Sequence, residues 1–218
     1  MTDMQETTIR RERTEDYRET ENTVREAFWN HFAPGCCEHY ILHHMRSHAD
    51  FVPGLDLVAV SSGRIIGCSA CAKGRIDTTD GRTITVLTLG PIAVLPCFQR
   101  KGTGTQLIRH TAAAGREMGY SAILLCGDPA YYTRQGFVAA SRFGIRTADG
   151  MFTAALHALE LREGALDGAA GIYHESGAYS PDETGLADFD RAFTPKEAVS
   201  GTPSQLRFQE IVKLKSER

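Results

Sequence analysis

The stretch "LGPIAVLPCFQRKGTGTQLI", Leu89 to Ile108, passes from an apolar run through a short basic segment with Gly102 and Gly104 into the first turn of a predicted helix. A strand that ends in such a loop and feeds a helix points several unpaired backbone N–H groups at one place, where the helix dipole also favours negative charge. That pattern predicts an anion site. The glycines admit close backbone approach, and Arg100 and Lys101 add positive charge at the rim, so a diphosphate is the expected guest. The spacing is not the Walker pattern, because no Gly-Lys-Ser/Thr follows, and it is not the dinucleotide G-x-G-x-x-G. Taken alone, a G-x-G fits a glycine-rich connection without a ligand equally well.

Downstream, Leu107, Thr111, Ala114 and Met118 recur at helical spacing, and Gly119 is placed to end the helix. "AILLC" (122–126) follows directly, and its five consecutive apolar residues predict a strand covered on both faces, as in a parallel strand, helix, strand crossover. Asp128-Pro129 reads as the N-cap and first residue of a short helix that stops at Gly136, and Met151 to Leu161 as a late strand. Upstream, turns at Ser62-Gly63 and Asp80-Gly81 divide β-rich runs into an antiparallel meander. Gly90-Pro91 interrupts its last run, where a bulge or a splayed edge is expected. Before the meander come a strand within Thr7 to Arg13, a helix starting at Thr14 with an apolar stripe through Tyr17, Val24, Ala27 and Phe28, and a helix over Cys36 to His48. No internal repeat is visible.

A chain of 218 residues, 42% hydrophobic and 23% charged, is long enough for one substantial core. The expected organisation is one domain over residues 1–180 and an appendage over 181–218, acidic at first and basic at its end, that docks on the core or on a second subunit in a homodimer. With 24 Lys+Arg against 27 Asp+Glu the net charge is -3, which excludes the broad basic footprint of a nucleic-acid binder. The first residues lack the apolar core of a signal peptide, and no apolar run approaches the roughly 20 residues of a membrane span. A cytoplasmic protein with no membrane partner is therefore expected. Six cysteines, mostly among apolar neighbours, read as reduced, buried thiols.

The opening stretch closely resembles the acyl-CoA motif of the GNAT superfamily of N-acetyltransferases, an apolar strand, V-x-P-x-x-Q/R-R-x-G-x-G/A, then a helix. Val94, Pro96, Gln99, Arg100, Gly102 and Gly104 fall in register with it. A second segment, "ILLCGDPAYYTRQGFV" (123–138), resembles the superfamily's closing motif in the form seen in the YhbS-like branch of predicted acetyltransferases. The resemblance spans residues of about 7 to 160 in the order of elements. It implies an α/β (α+β) fold with a mixed, mostly antiparallel central sheet flanked by helices, splayed between the motif strand and the following parallel strand. It implies acetyl-CoA as cosubstrate, no metal, and direct transfer to an amine within a ternary complex. The amides of Gln99, Arg100, Lys101, Gly102, Thr103 and Gly104 would cradle the diphosphate, and Ile92, Ala93 and Val94 would pair with the pantetheine arm. Val94 N–H would be the oxyanion donor, worth roughly 3 kcal/mol in other acyl-transfer enzymes. Tyr132, four residues before Gly136, would contact the cosubstrate and protonate the departing thiolate, a transfer from a group of reference pKa about 10 to one of about 8.5. Tyr131 is expected to pack the short helix onto the sheet, Asp128 to be its N-cap, and Cys126 to be core.

The acceptor must attack as a neutral amine. At pH 7 a lysine-like amine of pKa about 10.4 is neutral only about once in 2,500 molecules, a penalty near 4.6 kcal/mol, against about 1–1.4 kcal/mol for an α-amine. Many superfamily members place a Glu on the strand before the motif, but "TITVLTLG" has no acidic residue, leaving Asp77, a water chain or a low-pKa amine as options. A non-catalytic acyl-CoA-binding sensor or interaction domain is the alternative that this absence raises. His39/His43 and His44/His48 sit four apart on the second helix, and read as a solvated or acceptor-side face rather than zinc ligands. Cys68 and Cys71 are three apart on a strand and so fall on opposite faces. "GIYHESGAYS" (171–180) reads as a surface loop, with reach into the acceptor site as the alternative.

Overall fold

The computed structural model describes residues 7–217. The chain begins with β1 (Thr8–Arg11), α1 (Tyr17–Phe28) and α2 (Glu38–Met45), then enters the meander β2 (Leu57–Ser61), β3 (Arg64–Thr78) and β4 (Thr83–Val94). Ser62 (φ 50°) and Gly63 (φ 75°) are both left-handed, as a two-residue hairpin between twisted strands requires. Helix α3 (Thr103–Glu117) crosses to β5 (Ala122–Cys126), and α4 (Pro129–Tyr132) follows. Short strands β6 (Val138–Ala139), β7 (Ile145–Arg146), β8 (Phe152–Thr153), β9 (Leu156–Glu160) and β10 (Gly171–His174) complete the domain. The chain then runs through α5 (Leu186–Asp190), α6 (Pro203–Lys213) and β11 (Lys215–Ser216).

The main sheet runs β1-β2-β3-β4-β5-β9-β6, with β10 beside the second half of β3 and β7 beside β10. Its neighbours are antiparallel except β4–β5 and β7–β10. The mixed, mostly antiparallel sheet with helices on its faces is the expected architecture. The β4–β5 pair is held only at Leu87↔Ile123 and Thr88↔Leu124. Beyond Thr88 the two strands part, at the point where the β3–β4 register shifts between Ser69 and Cys71 and the Gly90-Pro91 bond is cis. The interruption expected at Gly90-Pro91 thus opens the sheet.

Each face of the sheet has its own core. Cys68 packs with Val24 and Leu42 under α1 and α2, while Cys71 packs with Leu87 and Ile108 under α3, the opposite-face arrangement expected for them. On α3, Gly115 rather than Met118 meets the sheet: a Cβ on Gly115 would come within 2.9 Å of Leu87, whereas Met118 is 48% exposed. The stretch Met151 to Leu161 is not one strand but β8 and β9, divided where Ala154 N–H donates to Leu214 and the Ala155 carbonyl accepts from Gly127. On α1 the buried face contains Glu21 and Arg25 as well as Val24. Each finds an ionic partner far along the chain, Arg46 at 2.7 Å and Asp190 at 2.6 Å.

The segment from 181 onward lies against α1 and the turn after it. Arg25 pairs with Asp190, Trp29 Nε1 donates to the Glu197 carbonyl (2.8 Å), and Thr202 Oγ1 donates to the Asn30 carbonyl (3.0 Å). Phe208 of α6 stacks on Phe32 with ring centroids 4.5 Å apart. Among the described residues no helix is long and apolar enough to cross a membrane.

Candidate active site

Gly102 is the N-cap of α3 at φ 91°, and Arg100 is left-handed at φ 60°. These two inversions turn the loop so that its amides and the first N–H groups of α3 converge on one concavity. That concavity, of about 700 Å³, is lined by Ile92, Val94, Gln99, Arg100, Gly102, Gly104, Tyr131, Tyr132 and Arg134 among others. Arg134, from the turn after α4, joins Arg100 as a second cation beside it. Gly104 makes room at the helix start, since a Cβ there would come within 2.6 Å of the Tyr131 hydroxyl. Tyr131 therefore reaches the loop as well as packing α4, a role beyond the packing expected for it. The side chains of Lys101, which lies 5.5 Å from the Phe98 ring, and of the buried Thr103 do not line the concavity. Only their backbones belong to the loop.

The splayed strands make the rest of the cleft. Leu95 N–H donates to the Ile66 carbonyl of β3 at 2.9 Å. By the alternation of an antiparallel ladder, Val94 therefore turns its N–H and C=O away from β3 and into the gap left by β5. Gln99 Nε2 donates to that carbonyl at 3.0 Å, which leaves the Val94 N–H facing the gap. This inner space, about 320 Å³, is bounded by Ile92, Ala93 and Val94 on one side and by Cys126, Gly127, Asp128, Tyr131 and Tyr132 on the other. α6 closes it with Ser204, Arg207, Phe208 and Ile211.

Tyr132 stands opposite Val94, held by Tyr131, Phe137 and His157 with ring centroids 4.9, 5.7 and 5.9 Å away. Burial raises its hydroxyl above the ordinary tyrosine range, so it stays protonated. His157 is buried, and its Nε2–H donates to the Gly127 carbonyl at 3.3 Å, anchoring the β5–α4 turn beneath the tyrosine. Desolvation lowers His157 and keeps it neutral. Asp128 caps α4 as expected, accepting from Ala130 N–H at 2.8 Å. It also pairs with Arg207 of α6 at 3.1 Å, which holds its carboxyl below the usual range.

Several expectations need correction. Cys126 is not core: its side chain opens onto the cleft at the end of β5, and burial, with the charge of Glu175, pushes its thiol up to about 12. Asp77 lies outside the cleft lining, half-buried, bonded to Thr83 and paired with Arg75 and His174 at 3.2 Å each. His39 is not on a solvated face but fully buried, with Nε2 3.1 Å from Asp190, whereas His43 pairs with Glu21 at 2.9 Å. Among the described residues no group of three or more His, Cys, Asp or Glu is arranged to hold a metal. The segment 171–180 is not a surface loop: Tyr173 is buried, and Tyr179 donates its hydroxyl to the Thr88 carbonyl (2.8 Å) at the parting of β4 and β5. Residues that sequence reasoning did not reach are His31, Phe32, Arg207 and Phe208. No local spacing marks them: His31 and Phe32 come from the turn after α1 and Arg207 and Phe208 from α6, and they meet only where those distant segments pack together.

The mixed sheet is thus splayed after a two-residue parallel seam, with the loop before α3 at one end of the gap and a buried tyrosine across it. Residues 54–139, which contain both motifs, match the family of acetyltransferase (GNAT) domains. That stretch carries a GNAT acetyltransferase domain. The chain is 28% identical over 137 residues to the uncharacterized N-acetyltransferase YhbS of Escherichia coli strain K12, covering 62% of this chain and 80% of that protein. The fold matches the crystal structure of E. coli YhbS in complex with CoA, with a TM-score of 0.73, 24% identity, and 83% and 96% of the two chains covered. A GNAT family acetyltransferase from Brucella melitensis, in complex with acetyl-CoA, matches with a TM-score of 0.64 and 27% identity over 81% and 99% of the chains.

Proposed function

We propose that the protein transfers an acetyl group from acetyl-CoA directly to an amine within a ternary complex. The observation that carries this reading is the Val94 N–H, left unpaired in the β4–β5 gap, with the protonated Tyr132 across from it and the α3 loop at the outer end of the same cleft. The amides of residues 99–104, with Arg100 and Arg134, would hold the diphosphate, and the edge of β4 from Ile92 to Val94 would pair with the pantetheine amides. Val94 N–H would donate to the thioester oxygen as negative charge develops on it. The amine nitrogen forms a bond to the carbonyl carbon, the carbon–sulfur bond breaks, and Tyr132 gives its proton to the departing thiolate. Holding both reactants in one cleft supplies much of the rate. A thiol raised to about 12 keeps Cys126 protonated at neutral pH, which favours direct transfer over a cysteine-bound acyl intermediate. Six free cysteines suit a reducing compartment, and a cytoplasmic location belongs to this reading.

The test is calorimetric binding of acetyl-CoA together with thiol release over a panel of amines, in the wild type and in Tyr132→Phe. The variant should lose about 10²-fold in kcat while binding acetyl-CoA as before. Unchanged turnover would remove Tyr132 from the chemistry. Tight acetyl-CoA binding with no thiol release from any amine would instead favour the non-catalytic sensor.

A further inference from the structure

Beside the transfer cleft, and opening into it, lies a smaller cavity of about 160 Å³. An apolar cavity of about 150 Å³ holds a benzene molecule in another protein, so this one is sized for a single ring or a branched alkyl group. Phe28, Phe32, Ile41, Pro91 and Tyr179 form most of its apolar wall. It shares Ile92, Cys126 and Tyr132 with the inner cleft, so a group reaching out of it arrives beside Val94 and Tyr132. Its lining contains two charged side chains among the described residues, Glu38 at the start of α2 and Glu175 just after β10, and no cation.

We propose that this cavity is the acceptor site for a small primary amine carried on an apolar body of about one ring, with Glu38 seating the ammonium group and Glu175 taking its proton. The proposal rests on the N-acetyltransferase reading above. Glu175 is held in place by its neighbours: His174 pairs with Arg75 in the β3 register, and Ser176 Oγ donates to Asp50 at 2.8 Å while accepting from Ala178 N–H. Its carboxylate has no hydrogen-bond or ionic partner among the described residues, and its charge contributes to the raised thiol of Cys126, the residue at the wall shared with the cleft. Glu38 is tied down, accepting from Cys37 N–H at 3.1 Å, which suits an anchor rather than a base. Burial raises both carboxyls above the usual range, toward the pH at which a base is most effective.

The protons balance. The bound ammonium gives one to Glu175, which is open enough to pass it to solvent, and the neutral nitrogen attacks the thioester. As the nitrogen–carbon bond forms and the carbon–sulfur bond breaks, sulfur receives the Tyr132 proton, and the second proton lost from nitrogen restores the tyrosine. The lining also selects against other amines. A free amino acid would bring its carboxylate against two carboxylates with no cation to meet it, and a polyamine would place a second ammonium against Phe28, Phe32 and Ile41.

Thiol release from acetyl-CoA is measured with 2-phenylethylamine, phenylalanine and spermidine, alongside calorimetric binding of 2-phenylethylamine to the CoA-loaded protein. The wild type should prefer 2-phenylethylamine by at least 10-fold in kcat/KM. Glu175→Gln should lower kcat about 100-fold with KM nearly unchanged, and Glu38→Gln should raise KM about 10-fold with kcat nearly unchanged. Ile41→Trp, which fills the cavity, should abolish 2-phenylethylamine binding, and acetyl-CoA affinity should be retained in all three as the check on folding. Turnover that prefers spermidine or phenylalanine, or is indifferent to Ile41→Trp and Glu175→Gln, overturns the acceptor site while leaving the acetyltransferase reading intact. Failure to bind acetyl-CoA overturns both. If acetyl-CoA binds, absence of calorimetric 2-phenylethylamine binding overturns this inference alone, whatever the turnover.

Discussion

The two ends of the cleft are made by different means. At the end proposed to take the diphosphate the groups on offer are backbone amides of consecutive residues, aimed by two left-handed residues, Arg100 and Gly102, and a helix start. At the end proposed for the acceptor the walls are side chains of α1, α2, β4 and the turn after β10, with Phe208 of α6 packed behind Phe32. A backbone site needs only local geometry and accepts any ligand that carries the right anion. A side-chain site needs distant elements brought into register, and in return it discriminates among bodies of different shape and charge.

The sharpest way to break this contrast is to give the backbone end side chains. Gly102→Val combined with Gly104→Val forces a β-branched residue to φ 91° and drives a Cβ against the Tyr131 hydroxyl, so acetyl-CoA affinity should fall by about 10³-fold or more, read by calorimetry. Affinity within a few-fold of wild type would move the anion site off this loop. Next in size, Arg25→Ala removes the buried partner of Asp190, the carboxylate that His39 also contacts, and thermal or urea unfolding should register a loss of about 3 kcal/mol. Because α5, packed through Phe189 on His39 and Tyr40 of α2, then loosens, amine KM should rise while acetyl-CoA binding is largely retained. If the two move together, the ends are not separate. The same contact sets an acid response. Asp190 is held below its ordinary value by the hydrogen bonds and charge of Arg25, so its contribution is fully present above the unfolded carboxylate pKa and is lost as pH falls through the lower folded value. The smallest effect is expected from Arg207→Ala, which cuts a half-exposed pair with Asp128. Stability should change by no more than about 1 kcal/mol, shrinking further in high salt.

The same division explains what could be read beforehand. The loop, the bulge at Pro91, the cap at Asp128 and the order of the sheet each depend on residues within a turn or two of one another, so composition and spacing suffice to place them. Phe32, Glu38, Arg207 and the buried His39 gain their meaning from elements far apart in the chain, Phe32 from Phe208 of α6. The helical spacing of α1 marked an apolar stripe, but nothing in it revealed that Glu21 and Arg25 would be buried, because their partners Arg46 and Asp190 come from other elements. Glu175 sat in a glycine-bounded segment whose local texture is that of a loop. Only the pairing of β10 with β3 turns it toward the cleft.

Gly127, where β5 turns into α4, has a consequence for how sequences of this type can vary. A Cβ at that position would clash with the Tyr132 ring, which packs on Tyr131, Phe137 and His157 and can yield only by moving into the cleft it lines. Positions 127 and 132 are therefore expected to vary together. A lineage that acquires a side chain at the first should displace or lose the aromatic at the second, and with it the proposed proton donor. In a collection of related chains, a two-letter readout at these positions should sort those able to release thiol from those that only bind it.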